Sequence, residues 1–332
     1  MDFLVSRNSC CRLLFCGVIV SLPLIIKSTY ILGILILIAL YAIVAEGLGV
    51  LMGYAGQVSF GQAAFYGLGA YTAAILATRC HLPPLFCLIV APVLPTLVAL
   101  IIGRSILRLR EHYLALATLG FGIFVYALFK EFAGLTGGPS GLTGIPYLSL
   151  GPFILDRDWK YYYLVWFILG LVLVSIDNLT RSPVGRAFMA IHASEKATEA
   201  AGIDTTTLKV QAFGLSACLA GLAGALYAFW VTFISPSPFS FTASVEFVLM
   251  VVIGGLGTLW GPLLGAAIIV GLTEFLRWAV RIIMPEAGGE FEIIFFGLIF
   301  VLIMLFRPQG LLAPRAFHGA TTGKMEEEGC LR

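Results

Sequence analysis

The residues best able to do chemistry in this chain lie where polar groups are hardest to keep. Residues 53–71, GYAGQVSFGQAAFYGLGAY, set Gln57, Ser59 and Gln62 among apolar residues and glycines. An unpartnered amide or hydroxyl in such surroundings costs on the order of several kcal/mol, so these groups must face protein or water. Two uses are open: side chains that bond neighbouring helices, or the lining of a pathway whose broken backbone offers carbonyl and N–H groups. Glu46, Glu246 and Glu274 lie inside or at the ends of apolar runs, where acids default to function. Glu274 has Arg277 three residues on, within helical reach. A second cluster follows at 182–204. Ser182-Pro183 reads as an N-cap with proline at the first helical position. Val184, Ala187, Phe188 and Ile191 then recur at helical spacing. Arg186, Glu195, Lys196 and Glu199 charge the remainder, Gly202 closes the helix at C′, and Asp204 caps the next element. Such a helix lies on a membrane surface or inserts into a groove on a cytoplasmic partner. Its mixed charge argues against pure membrane-surface binding.

No constellation for covalent chemistry accompanies these residues, and the chain is expected not to be an enzyme. HExxH, GxSxG and a Rossmann fingerprint are missing from the sequence. Gly319 to Met325 has a phosphate-loop look, but its glycine spacing is one short and Met325 replaces the Ser/Thr that would hold Mg²⁺. ATP is therefore not expected to bind this chain. His81, His112, His192 and His318 are far apart, and the seven cysteines form no CxxC pair, so neither a zinc site nor a disulfide framework is expected.

The elements that must position these residues are membrane helices. The 332 residues are 60% hydrophobic and 11% charged, with a mean hydropathy of +1.00, whereas soluble domains are roughly 25% charged. That excludes a soluble enzyme and a disordered chain, and a net charge of +2 gives no reason to expect a nucleic-acid partner. At ~20 residues per span, the apolar runs predict about ten spans, eight to ten: 11–26, 30–52, 58–78, 85–106, 113–131, 161–178, 208–233, 243–257, 261–280 and 291–306. The first lacks an A-x-A cleavage pattern and reads as a retained span rather than a signal peptide. With the N-terminus inside, 13 of the 20 Lys/Arg fall on the side that holds both termini and the 179–207 loop, which favours that side as cytoplasmic. The sequon at Asn178 then faces the cytoplasm and is read as chance. Glycine crowds 53–74 and 254–271, in the third and the eighth-to-ninth spans. Such placement is compatible with an inverted repeat. The loop 135–144, LTGGPSGLTG, falls outside and reads as a flexible connection, or as a gate or docking surface for a substrate-delivery protein.

GQVSFGQAAFYGLGAYTAAIL (56–76) resembles the signature of the LivM-type permeases of high-affinity branched-chain amino acid ABC importers. The resemblance continues through LRLREHYLALATLGFG (107–122), LTGGPSGLTGIP (135–146), RSPVGRAFMAIHASEKATEAAGID (181–204), KVQAFGLSACLAGLAGALYAFW (209–230) and FVLMVVIGGLGTLWGPLLGAAI (247–268). It implies an all-α polytopic permease of a bacterial inner membrane, with a permease domain over 1–313 and a cytoplasmic tail at 314–332. Its implied partners are a LivH-like second permease, two cytoplasmic ATPases that bind the ATP, a periplasmic substrate-binding protein and membrane lipid. Glu195 to Gly202, EKATEAAG, falls where the family places its ATPase-coupling loop and is a shortened relative of the EAA-type motif. Arg186, Phe188, Glu195, Glu199 and Gly202 are therefore candidates for the coupling region. Gln57, Ser59 and Gln62 are candidates for the pathway or for the helix contacts that shape it. Similar permeases serve importers of urea, amides and aromatic acids. The reading from a different class is an ion-coupled secondary transporter using Glu46 or Glu246.

Overall fold

The computed structural model describes residues 23, 28–107, 111–150, 153–283 and 311–312. The expected span 291–306 and the tail 314–332 lie outside the described residues, as does all of 11–26 but residue 23. The regular elements among the described residues are helices apart from a small hairpin, in which Ser149–Leu150 (β1) pairs antiparallel with Phe153–Ile154 (β2).

Helix α1, Thr29–Gly49, is apolar on every face and becomes mostly buried, as such helices must. It runs on through a π-helical turn, Val50–Tyr54, and then the helix stops. Residues 55–61 are irregular before α2 begins, Gln62–Thr78. The expected span 58–78 is thus shorter, and Gln57 and Ser59 lie on the break rather than on a helix. The span expected at 85–106 is two helices in line, α3 (Pro84–Val90) and α4 (Val93–Ile106). Pro92 and Pro95 supply the reason: neither can donate a backbone hydrogen bond to the preceding turn. Helix α5, Glu111–Glu131, leads to a short α6, Ala133–Thr136, and then α7, Asp158–Arg181. The loop helices α8, Pro183–Ala193, and α9, Glu195–Ala200, precede the long α10, Thr205–Val231. A second helix–break–helix follows, with α11 (Phe241–Gly254) and α12 (Gly261–Ile283).

Six of these elements are long and apolar enough to cross a bilayer, counting α1 with its π-turn and α3 with α4. Among them α1 and α10 form the interior, with 67% and 72% of their most apolar windows buried, against 22% for α5. The outer helices show large apolar side chains such as Ile101, Leu116 and Phe167, as lipid-facing surfaces do. α10 contacts α2 and α4, and α1 contacts α12, α10 and α7. Closeness comes from small residues: a Cβ on Gly69 would overlap the Gly221 backbone, and one on Gly224 would overlap the Tyr66 carbonyl. In lipid, where apolar burial gives little drive, this close van der Waals packing is a main source of helix association.

Candidate functional site

The first break is closed by side chains from three other helices. Gln62, wholly buried at the first turn of α2, donates from Nε2 to the Ser216 carbonyl (3.0 Å) and to Ser216 Oγ (2.9 Å) on α10. The next residue's N–H, that of Ala63, is one of the helix-start donors with no partner inside α2. It donates to Ser244 Oγ of α11 at 3.0 Å. The Phe60 N–H donates to Thr118 Oγ1 of α5, also at 3.0 Å. Gln57 is buried and folds locally, its Nε2 donating to the Ala55 carbonyl at 3.2 Å. Ser59, buried as well, accepts from the Gly61 N–H at 3.4 Å. In this conformation Gln62 therefore bonds helices together, and Gln57 and Ser59 shape the break. Ser216, Ser244 and Thr118 are partners that the sequence reading did not single out. Their one signal is a hydroxyl inside an otherwise apolar span.

The second break is closed mainly by backbone. Gly255 (φ +113) and Gly257 (φ +72) adopt conformations that L side chains rarely take. A Cβ on Gly254 would overlap the Gly261 carbonyl, and one on Gly265 the Met250 carbonyl. The Leu311 and Leu312 N–H groups donate to the carbonyls of Ile253 (2.8 Å) and Gly254 (3.2 Å). The two breaks touch, since a Cβ on Gly53 would overlap the Gly257 N–H. Glu46 lies beside this junction. Its side chain lies near the Leu263 backbone in the first turn of α12, and Oε1 is buried with no hydrogen-bond partner among the described residues. The other two acids differ. Glu246 is half-buried on α11, and Glu274 receives the Tyr30 hydroxyl (2.5 Å) and pairs with Arg277 (3.1 Å) as its spacing predicted.

The loop between α7 and α10 begins as expected and then departs. Ser182 caps α8, accepting from the Gly185 N–H at 3.2 Å, with Pro183 next. The single helix expected through to Gly202 is two helices, because Ser194 turns extended (φ −163°) and caps α9 by accepting from the Ala197 N–H at 3.3 Å. A serine side chain offers that alternative to helical continuation. Gly202 does close the second helix, at φ +82, with the Gly202 N–H to the Glu199 carbonyl and the Ile203 N–H to the Thr198 carbonyl. That is the Schellman pairing. Asp204 caps α10 through Thr207, whose hydroxyl and N–H hold its carboxyl below the usual carboxylate range.

Two faces of this loop follow. The inward face holds Phe188 (2% exposed) and Ile191, packed against the chain's own helices, so Phe188 positions α8. A Cβ on Gly56 would meet His192 at 3.2 Å, which seats α8 on the first break. Glu195 of α9 pairs with Lys209 of α10, a lysine whose side chain is only 6% exposed. Glu199 accepts from the Thr205 hydroxyl at 2.8 Å. The outward face shows Arg186 and nearly all of α9. Lys209 and Thr205 were not singled out from the sequence, where Lys209 counts only among the 13 basic residues on the side that holds both termini.

The family described as "Branched-chain amino acid transport system / permease component" matches residues 30–304. The LivM permease of the high-affinity branched-chain amino acid transport system of Escherichia coli K12 is 33% identical over 82% of this chain and 68% of its own length. BraD of Pseudomonas aeruginosa, named for the same kind of system, is 26% identical over 82% of this chain and 91% of its own. The LivH permease of E. coli K12 is 23% identical over 82% and 91%. No solved structure matches the chain significantly. The chain belongs to this permease family. It is a multi-pass, all-helical membrane protein and a non-catalytic transport component. In this permease the breaks and the loop form one connected unit. α8 rests on the first break, α9 is tied to α10, and α10 holds α2 through Ser216 and Gln62.

Proposed function

We propose that this permease supplies one half of the membrane pathway of an ATP-driven importer of branched-chain amino acids, in a bacterial inner membrane with both termini cytoplasmic. A LivH-like permease forms the other half. Two ATPase subunits bind the ATP on the cytoplasmic side, and a periplasmic binding protein delivers the amino acid. No cofactor belongs to this chain. The permease domain covers 1–313 and the tail 314–332 is cytoplasmic.

The observation that supports this reading is the attachment of the α8–α9 loop. Its inward face is fixed to α10 and to the first break, while Arg186 and α9 remain exposed to a partner. A push on α9 then moves α10, and α10 carries α2 with it, as a change of access across a bilayer requires. Glu195 and Glu199 transmit the motion inward, Arg186 meets the ATPase, and Gly202 sets the exit angle of the loop.

The test is uptake of labelled leucine by proteoliposomes that contain the assembled importer. Uptake is expected to need ATP and the ATPase subunits, and Arg186→Glu is expected to weaken ATPase co-purification without changing the melting temperature. Uptake driven by an ion gradient without ATPase subunits would overturn the reading.

A further inference from the structure

The segment between α10 and α11 places an aromatic ring inside the helix group. A 3₁₀ turn, Ser237–Phe239, buries Phe239 to 1% exposure. Its ring meets Tyr66 at 5.4 Å, Tyr71 at 5.7 Å, Phe129 at 6.0 Å and Tyr227 at 6.2 Å between centroids, all edge-to-face. Room for it depends on Gly67 of α2, where a Cβ would stand 2.9 Å from Phe239 Cγ and 2.5 Å from the Phe129 ring.

Around this ring two groups are less well served than they could be. The hydroxyls of Tyr66 and Tyr71 are buried and have no hydrogen-bond partner among the described residues. Phenylalanine at either position would keep the ring packing and avoid an unbonded hydroxyl. The segment's start is strained too: Thr232, β-branched, holds φ +59, a backbone region such residues avoid. The segment is also tied to the glycine-rich loop 135–146. Leu142 and Ile234 exchange both backbone hydrogen bonds, at 2.8 and 3.1 Å.

We propose that Phe239 is a plug standing in a site for the transported amino acid, and that the Tyr66 and Tyr71 hydroxyls are donors used when the plug withdraws. Resting on the importer reading above, the ligand class is a small zwitterion with a branched aliphatic side chain. The two phenol O–H groups donate to its carboxylate. The faces of Tyr227 and Phe129 receive its ammonium group. Its alkyl group fills the space of the Phe239 ring. Loop 135–146, bonded to the plug segment through Leu142, moves with it.

The experiment uses the assembled importer. Tyr66→Phe/Tyr71→Phe is expected to keep or raise the melting temperature while raising the KM for leucine uptake at least tenfold. In detergent, Phe239→Ala is expected to bind labelled leucine at least tenfold more tightly than the unaltered importer. Adding both Tyr→Phe changes to Phe239→Ala is expected to abolish that gain. An unchanged KM in the double variant would overturn the proposal, as would a lowered melting temperature, which would mean that the hydroxyls are bonded in the plugged state. If Phe239→Ala does not assemble, the Tyr→Phe variants decide alone. Should the unaltered importer carry no leucine, the importer reading fails; leucine uptake with an unchanged KM in the double variant sinks the plug alone.

Discussion

The two breaks in the helix group do the same job with different materials. The first, between α1 and α2, leaves backbone donors that are met by the side chains of Ser244 and Thr118, while Gln62 reaches Ser216. The second, between α11 and α12, is drawn shut by glycines whose absent Cβ atoms let backbone meet backbone. A side-chain bond can be exchanged for another partner as helices shift. A glycine contact has no second setting, because bringing the backbones that close is all it does. The first break is thus suited to rearrangement and the second to holding α11 and α12 as one body.

That difference can be broken by substitution, and the largest effect belongs to the second break. Gly265→Ala would drive a Cβ into the Met250 carbonyl. It is expected to cost about 3 kcal/mol, read as a shift in denaturant unfolding of the permease in mixed micelles. A stability within experimental error of wild type would show that α11 and α12 can separate freely. Next comes Gln62→Leu, which removes both bonds to Ser216. It is expected to cost about 2 kcal/mol, since it takes two hydrogen bonds from buried groups. A double-mutant cycle with Ser216→Ala should return a coupling of about 1 kcal/mol. Zero coupling would mean that the two side chains do not act together.

Gly202→Ala separates backbone conformation from close approach. Gly202 has φ +82 and nothing within 4 Å of a Cβ, so only the left-handed backbone is at stake. A loss of about 1.5 kcal/mol is expected, seen as faster hydrogen exchange at the amides of Gly202 and Ile203. The smallest effect is expected from Ser244→Ala, about 1 kcal/mol, for one donor at the start of α2. It should be local, raising exchange at Ala63 without altering the α11–α12 contact. Exchange spreading into α12 would tie the two breaks more tightly than the comparison allows.

Much of the α8–α9 loop was legible in the letters because it is built from local rules. Ser182-Pro183, Gly202 and Asp204 act on backbone groups within a few residues of themselves, so spacing alone locates them. The break at Ser194 was equally local but was hidden by an apolar pattern that continues through Ile191. The reach of Phe188 was not legible. Periodicity gives a helix an apolar face without saying whether that face meets a partner or the chain's own helices. Gln62 shows the same limit, since its amide needed a partner but Ser216 lies 154 residues away.

By itself the sequence determined a membrane-spanning permease. Scarce charge and long apolar runs leave a bilayer as the one solvent that suits most of the surface, and its motifs fall in the family's order. The pairing was decided only in three dimensions. Gly53 against Gly257, Lys209 with Glu195, and Phe239 between Tyr66 and Tyr71 are contacts between distant segments. Small residues permit close approach wherever they fall, and a buried polar group accepts any complementary partner, so residue type states a requirement that only helix packing resolves.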